Sequence, residues 1–513
     1  MIRNLLFVGM LAASLPAAEK LSLFESPAAA ASHGKLDDLV FAQWKRLGVQ
    51  PAQLCSDAVF VRRAYLDVIG TLPTAPEAAA FLADTDPAKR ASLIDRLLER
   101  EEFADYWATK WSDLLRVKAE FPINLWPNAA QAYYHWLRSS IQANTPYDRF
   151  VRELLTASGS NFRAAPVNFY RAMQSKEPQS IAQAVALTFM GARLEKWPAA
   201  QQAGMAAFFS QVGYKETGEW KEEIVFFDAS KKPGTPVFPD GTPVRIGAGQ
   251  DPRAAFADWL VAPRNPWFAR AIVNRVWYWL LGRGIVQEPD DLRADNPAEN
   301  PDLLAYLEQE LVASHYDLKH IYRLVLNSAA WQLSSVPRAE PAVAAANFAA
   351  YPLRRLDAEV LIDAINQVTG AGETYSSSIP EPYTFMPDFQ RAIALPDGSI
   401  SSSFLEEFGR PPRDTGLEAE RNNRITDAQR LHMLNSSHVL RKIQQSPKLQ
   451  AMMREVRPPQ ELIKQIYLTI LSRPPSDDEW KLIAAHAQNV RGQAAVVDLV
   501  WALFNTTEFL YRH

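Results

Sequence analysis

The chain has few residues whose types and spacing suggest covalent chemistry. Cys55 is the single cysteine among 513 residues, and no histidine stands near it in the sequence. Attachment of haem c requires the pattern Cys-x-x-Cys-His, which supplies two thiols and an axial imidazole. Because one thiol cannot meet that requirement, we expect no bound haem. We interpret Cys55 as a small core residue rather than a nucleophile.

The histidines do not follow a known metal-binding spacing. His315 and His320 are five residues apart, and His432 and His438 are six residues apart. Neither pair matches the i, i+4 spacing with which His-Glu-x-x-His presents two ligands on one helix face. The sequence also lacks the Gly-x-Ser-x-Gly nucleophile motif and a Walker phosphate loop. We therefore predict no metal and no cofactor.

Five charged residues remain as candidates for catalysis. Arg410, Arg413 and Asp414 belong to a Phe-Gly-Arg-Pro-Pro-Arg-Asp segment, whose prolines restrict the backbone and present the polar groups rigidly. Arg63 and Asp67 lie four residues apart on a predicted helix. At that spacing their side chains can also simply pair across a helical turn. Structural ion pairing is therefore the competing interpretation for all five residues.

Two groups of aromatic residues offer a binding function instead. Exposed aromatic faces stack on sugar rings, and arginines can bind sulfate groups bidentately. In a helical protein such groups usually belong to the core, so both interpretations stay open. The groups are Trp126 with Tyr133, Tyr134 and Trp136, and Trp267 with Trp277, Tyr278 and Trp279.

Most of the chain carries the signals of α-helices. Thr74 with Glu77, and Ser476 with Glu479, have the spacing of a capping box at a helix start. Asn300 followed by proline indicates another helix start. Apolar residues spaced three and four apart run between these signals, as they do on the buried face of a helix.

A β-rich stretch interrupts the helical pattern. Residues 223–228 and 235–246 are rich in β-branched and aromatic residues, and Asp240-Gly241 is a hairpin signal. Prolines at three positions restrict the second segment to an edge strand. We predict a mainly α fold with two helical domains joined by a short β-ribbon. The predicted helical domains are 36–212 and 251–513, the ribbon linker is 213–250, and a long loop covers 370–423.

The two ends of the chain resemble each other. Residues 64–77 and 466–479 align without a gap at a tyrosine, a proline and a glutamate, and a Glu-Phe pair follows each copy. Turn and capping chemistry explains the proline and the glutamate, but not the tyrosine. A duplicated unit and the chance recurrence of a capped helix both remain open. A duplication predicts the same helix arrangement over 57–106 and 459–511.

The first residues have the order of a secretory signal. Arg3 precedes an apolar run over residues 5–15, and small residues follow it. We predict a signal peptide at 1–18, a linker at 19–35 and a secreted or periplasmic location. No apolar run is long enough to predict a transmembrane helix. The net charge of −4 gives no electrostatic basis for binding nucleic acid.

Several segments carry a family resemblance. Phe60-Val-Arg-Arg-Ala-Tyr-Leu-Asp-Val-Ile-Gly-Thr-Leu-Pro73 resembles the opening of the DUF1549 domain, found in planctomycete and verrucomicrobial secreted proteins. Later segments resemble the DUF1553 domain that usually accompanies it. These segments are Asp251-Pro-Arg-Ala, Asn274-Arg-Val-Trp277, Gly282-Arg-Gly284, Phe408-Gly-Arg-Pro-Pro-Arg-Asp414, Asn435-Ser436 and the closing residues 499–509.

The resemblance implies a secreted protein of no established activity. Members of the family often carry Cys-x-x-Cys-His just before a Glu-Lys-Trp segment, and many are fused to a cytochrome-c-like module. They tend to occur in organisms that degrade complex polysaccharides. In this chain Leu194 runs directly into Glu195-Lys196-Trp197, and the cysteine-containing stretch is missing. We therefore expect a member that has lost its haem c site.

Two functions fit these observations. The favoured one is a non-catalytic accessory or binding protein in a polysaccharide-handling system, whose partner is a polysaccharide or another secreted or periplasmic protein. The alternative is an enzyme with its site around the 410–414 loop. A deep pocket lined by that loop would favour the enzyme, whereas packed ion networks would favour the accessory protein.

Overall fold

The structure is a computed structural model that describes residues 22–247 and 249–513. The predicted signal peptide and the first residues of the predicted linker lie outside the described residues. Over the described part the chain is mainly α-helical, which confirms the predicted fold class. None of the described helices is long and apolar enough to cross a membrane.

The N-terminal half of the described chain is a succession of short helices with a three-stranded sheet at its end. Its α-helices are α1 (Lys35–Leu47), α2 (Asp57–Val68), α3 (Ala75–Ala83), α4 (Lys89–Leu98), α5 (Glu101–Leu114), α6 (Pro127–Gln142), α7 (Tyr147–Thr156), α8 (Asn168–Arg171), α9 (Pro178–Met190) and α10 (Ala199–Ala206).

The C-terminal half continues in the same manner. Its α-helices are α11 (Pro252–Leu260), α12 (Phe268–Leu281), α13 (Pro301–Ala313), α14 (Leu318–Asn327), α15 (Ala329–Gln332), α16 (Pro341–Ala346), α17 (Ala358–Thr369), α18 (Ser403–Glu407), α19 (Asp427–Asn435), α20 (Ser437–Gln444), α21 (Pro447–Glu455), α22 (Pro459–Leu471), α23 (Asp477–His486), α24 (Gln493–Phe504) and α25 (Thr507–Leu510).

The sheets are small and antiparallel. In the first, β3 (Glu223–Phe227) lies between β1 (Gly159–Ser160) and β2 (Val212–Glu216), and Tyr214 stands opposite Val225. In the second, β4 (Arg354–Arg355) pairs with β5 (Tyr511–Arg512) near the C-terminus.

The β-ribbon therefore lies earlier in the chain than the hairpin signal indicated. Residues 223–227 form a strand, but their partner is β2 rather than residues 235–246, so the prediction of a strand there was wrong. Asp240-Gly241 forms an isolated turn, in which the Gly241 N–H donates to the Phe238 carbonyl at 2.9 Å. The prolines of this segment remove the N–H donors that a ladder needs.

The helix starts were predicted correctly where the capping chemistry is local. The side chains of Thr74 and Ser476 each accept the backbone N–H of the glutamate three residues later. The side chain of that glutamate accepts the backbone N–H of the capping residue. Asn300 accepts the Leu303 N–H at the start of α13. These side chains satisfy N–H groups that have no partner within their own helix.

The helices of the two halves share one hydrophobic core. α3 packs against α22, α4 against α14, α7 against α11 and α9 against α12. Cys55 is fully buried in this core, as its interpretation as a core residue requires. Because each of these pairs joins distant parts of the sequence, apolar side chains from both halves are buried in the same core.

The two terminal units each bring together one arginine, two glutamates and one tyrosine. Near the N-terminus, the Arg100 guanidinium binds Glu77 at 2.9 Å and Glu102 at 2.5 Å, and lies 5.7 Å from the centre of the Tyr65 ring. All of this lies at the junction of α2, α3 and α5. Glu102 lies in the first turn of α5, and the Glu-Phe pair of the other end lies in the shorter helix α25.

The C-terminal unit repeats this cluster with an arginine from a different place. Arg473 follows α22 directly and binds Glu479 at 2.7 Å and Glu508 at 2.6 Å, while its guanidinium lies 5.7 Å from the centre of the Tyr467 ring. Tyr467 and Tyr65 are both buried. Both units thus close a capped two-helix turn with one arginine, which is buried at Arg473 and 34% exposed at Arg100, and α22 of the second unit packs on α3 of the first.

Candidate functional site

The sequence candidates belong to a buried network of alternating charges. Arg413, whose side chain is fully buried, donates from Nε to Asp113 at 3.0 Å. The other oxygen of Asp113 accepts from Arg421 at 2.6 Å. Arg421 also binds both oxygens of Glu359, at 2.8 and 3.0 Å. Thus α5, the 410–423 segment and α17 meet through their charges.

The network continues from α17 to the other two candidates. Asp357, which precedes α17, accepts from Lys110 at 2.9 Å and from Arg512 at 3.1 Å. Arg512 in turn binds Asp67 at 3.0 Å. Arg63 lies one helical turn before Asp67 but donates to backbone carbonyls, those of residues 331, 333 and 513. Its guanidinium lies 3.7 Å from the centre of the Tyr351 ring.

The remaining two candidates hold the loop itself. Arg410 donates to the backbone carbonyls of Ile400 and Asp397, and its Nε lies 3.6 Å from Glu359. Asp414 binds Lys118 at 2.6 Å, and its backbone N–H donates to Glu420. Each candidate therefore already has protein partners for its charge.

The pKa directions agree with fixed, ionised pairs. Burial opposes ionisation of Glu359, but Arg421 and Arg410 outweigh it and lower the pKa of that carboxyl to about 2. Asp357 behaves likewise, since Lys110 and Arg512 hold its pKa well below its usual range. A general acid or base needs a pKa near the working pH, which these two carboxyls do not have.

A polar cleft of about 390 Å³ lies beside the network. It runs between the α2–α3 turn and the start of α5 on one side and α17 with the following segment on the other, and none of the five candidates lines it. Its wall includes Asp363, whose pKa is raised by burial to about 6, and Arg391 at 3.6 Å from it. Asp363 accepts the N–H groups of Ala392 and Ile393, so it mainly anchors the long loop.

A second carboxyl with an altered pKa lies at the edge of the network. Glu418 accepts from the Trp279 indole at 2.9 Å, and its backbone N–H donates to Asp290 at 2.7 Å. Burial, and then the negative charge of Asp290, raise the pKa of Glu418 to about 7. Sequence reasoning did not identify this residue, because its environment comes from three separate segments.

The aromatic residues divide into core and surface. Tyr133, Tyr134, Trp277 and Trp279 are buried, whereas Trp126 is partly exposed. Among the described residues, the strongly exposed aromatic side chains all lie on three loops, before α6, between β2 and β3, and within 370–423. They are Phe121, Trp220, Tyr383, Phe385 and Phe389, which are 43% to 79% exposed.

Three rings from these loops touch one another. The Trp220 ring centre lies 4.6 Å from that of Trp126 and 5.2 Å from that of Tyr383, and Trp126 lies 5.6 Å from Tyr383. The Lys221 ammonium is 5.2 Å from the centre of the Trp126 ring. We call Trp126, Trp220, Lys221 and Tyr383 the aromatic face.

The loops of the aromatic face are held together by hydrogen bonds. Glu120, six residues before Trp126, accepts from the Ser377 hydroxyl at 2.8 Å and from the Ser378 N–H at 3.0 Å. The sequence interpretation missed Trp220 and Tyr383, since neither stands in an aromatic group. A tryptophan in the turn of a β-hairpin is the signal that could have identified the first.

The residues present do not fit a covalently attached haem. Cys55 is buried in the core, and residues 188–197, where the family resemblance led us to expect the thiols, contain neither cysteine nor histidine. There, α9 ends at Gly191 and a short 3-10 turn, Leu194–Lys196, follows it. Expressed in a host that matures cytochromes c, the protein is expected to show no Soret band, and a stoichiometric one would contradict this.

Arg413→Ala tests whether this candidate is structural. Removing one partner of a buried ion pair costs about 3–5 kcal/mol, and the lower end is expected here because Asp113 keeps Arg421. Urea denaturation followed by tryptophan fluorescence measures the loss. Lys481→Ala removes an exposed ion pair and should cost less than about 1 kcal/mol. Equal, small losses in both variants would show that the buried network is not stabilising.

Glu418→Gln tests the raised pKa. An acid whose pKa is higher in the folded state binds more protons there than when unfolded, so its contribution to stability falls as the pH rises from about 4.5 to 7. Glutamine keeps an acceptor for Trp279 and cannot ionise. The urea midpoint of the variant should therefore fall less than that of the wild type between pH 5 and pH 8. Glu455→Gln, at an exposed site, should behave as the wild type; identical curves for all three proteins would refute the assignment.

Comparison with known proteins gives the family. A family model described as a protein of unknown function (DUF1549) matches residues 35–212, and one described as a protein of unknown function (DUF1553) matches residues 252–487. No curated protein and no solved structure matches the chain. The two matches cover most of the chain, in the order that the sequence segments indicated. The chain therefore carries a region of the DUF1549 family followed by a region of the DUF1553 family.

Proposed function

We propose that this protein is a secreted or periplasmic, non-catalytic accessory protein that binds a polysaccharide through the aromatic face. The observation that carries the proposal is the concentration of exposed aromatic rings on three adjoining loops. The order of charged, apolar and small residues at the start of the sequence supports the location. The division into domains at 36–212 and 251–513 remains part of the same proposal.

Exposed aromatic rings are the side chains that bind sugars most readily. The faces of a pyranose ring carry C–H groups that pack on an aromatic face, and the tryptophan N–H adds a hydrogen bond. Trp220 is 59% exposed at the tip of a hairpin, where a ligand can reach its ring from solvent. Lys221 beside it supplies a positive charge for an acidic substituent.

The catalytic alternative has less support from the same geometry. The side chains of the 410–414 loop and of Arg63 and Asp67 are occupied by carboxylates, cations and backbone carbonyls. The 390 Å³ cleft is lined by other residues. Packed ion networks are what the accessory interpretation predicted for these residues.

Trp220→Ala tests the binding site. Affinity electrophoresis and calorimetry with a panel of neutral and sulfated polysaccharides should identify one that binds the wild type. Truncation of Trp220 should weaken that binding at least about tenfold, as expected for an aromatic side chain that carries much of the binding energy. The thermal midpoint should not change, because the ring is largely exposed.

A matched control separates binding from general effects. Leu482→Ala removes a 71% exposed apolar side chain on α23 and should bind like the wild type. Reducing ends released by the wild type would favour the enzyme alternative. Equal affinities for wild type and Trp220→Ala, or a panel with no binder, would contradict the proposal.

A further inference from the structure

Two histidines and two glutamates form a continuous hydrogen-bonded chain beside the long loop. Nδ1 of His432 on α19 lies 2.7 Å from Glu407 at the end of α18. Nε2 of His432 lies 3.3 Å from Nδ1 of His438 on α20. Nε2 of His438 lies 2.9 Å from Glu373. All four ring nitrogens thus have a partner within the protein.

The two imidazoles face each other as hydrogen-bond partners. Their ring centres lie 5.6 Å apart, close to the largest separation that a 3.3 Å contact between nitrogens permits. The two nitrogens therefore point at each other along the line of centres, whereas ligands of one tetrahedral ion converge on a point off that line. No group of three or more metal-binding side chains occurs in the described part of the chain.

The number of protons on the pair follows from its partners. The outer nitrogens face carboxylates, so both must carry hydrogen. Between the inner nitrogens, one must donate and the other accept. Three protons on four nitrogens leave the pair with a single positive charge, shared by His432 and His438.

The surroundings fit that charge. Lys442 lies 2.9 Å from Glu373. The two negative charges of Glu373 and Glu407 are therefore balanced by the Lys442 ammonium and by the one positive charge that the imidazoles share. His438 and Lys442 outweigh burial and lower the pKa of Glu373, which keeps it ionised. The rings of Phe404 and Phe408 stand edge-on to His432. On α24, which packs against α20, Asp498 is paired with His486 instead.

The chain of hydrogen bonds also supports a wall of the cleft. Lys442 donates to the Asn366 side chain and to the Gly372 carbonyl, and both residues line the 390 Å³ cleft. Glu373 directly follows Gly372 and begins the segment 373–391, which includes Tyr383 of the aromatic face. The base of this segment is therefore fixed to α19 and α20 through the two histidines.

We propose that His432 and His438 are a pH-operated latch, closed while they share one proton charge and opened by uptake of a second. A second proton places two N–H groups and two positive charges against each other at 3.3 Å, so the bond between α19 and α20 is lost. Glu373 keeps its bond to His438 on α20, but segment 373–391 then loses its link through the two histidines to α19. The latch stands on its own geometry and does not depend on which ligand binds the aromatic face.

Nitrogen NMR counts the protons directly. The protein has eight histidines, so selective ¹⁵N-histidine labelling with His432→Gln and His438→Gln for assignment resolves the pair. At pH 7.5, three of its four nitrogens should be protonated, and at pH 5 all four, since histidine changes charge in this range. Two or four protonated nitrogens at pH 7.5, or loss of both signals on stoichiometric Zn²⁺, would overturn the proposal.

Hydrogen exchange measures the opening. After correction for the intrinsic effect of pH, amides of 373–391 should exchange at least about threefold faster at pH 5 than at pH 7.5, while those of α2 stay unchanged. Glu407→Gln keeps an acceptor but removes a negative charge, so the transition should move to lower pH. His486→Gln, in an exposed pair, should leave it unchanged. A constant exchange rate in wild type, or a Glu407→Gln transition at the wild-type pH, would refute the latch.

Discussion

The pairing of buried charges is the constraint on which the rest of this structure depends. Asp357 and Glu359 bring two carboxylates into the interior at the start of α17. A buried carboxylate without a partner costs several kcal/mol, so each of them requires a cation nearby. Those cations come from distant parts of the sequence: Lys110 from α5, Arg421 from the long loop and Arg512 from β5. The requirement fixes all three segments relative to one another.

This constraint explains why the two family regions form one folded body. Asp113 lies within the DUF1549 match, and its partners Arg413 and Arg421 lie within the DUF1553 match. Separating the regions would leave charges of both signs buried or exposed without partners. Shared apolar packing, such as that between α9 and α12, adds to the same attachment.

Buried arginines have a second role, which is to bind backbone carbonyls that have no partner of their own. Arg62 donates to the carbonyls of Ile470 and Phe509 in the last turns of α22 and α25, and Arg410 donates to those of Ile400 and Asp397 in the long loop. Carbonyls at helix C-termini and in irregular segments need such donors when they are buried. The long loop is thus ordered by side chains rather than by a ladder.

The sequence alone determined the features that depend only on neighbouring residues. These are the capping boxes at Thr74 and Ser476 and the mainly helical fold. The lack of paired thiols is also read directly from the sequence. Segment motifs were enough to indicate the family. The β-ribbon was only partly predictable, because the β propensity of residues 235–246 was real but prolines removed the donors that pairing needs.

The tertiary structure alone decided which charges and rings meet. Arg413 and Asp113 are 300 residues apart, and no spacing rule connects them. Trp220 and Tyr383 became a surface cluster because two loops happen to adjoin, while the aromatic groups visible in the sequence went largely to the core. His432 and His438 were excluded as a metal motif by their spacing, yet the turn between α19 and α20 brings their nitrogens to 3.3 Å. Local propensity sets helices and caps, but contact between distant side chains depends on how the helices pack, and a single sequence does not encode that in any short pattern.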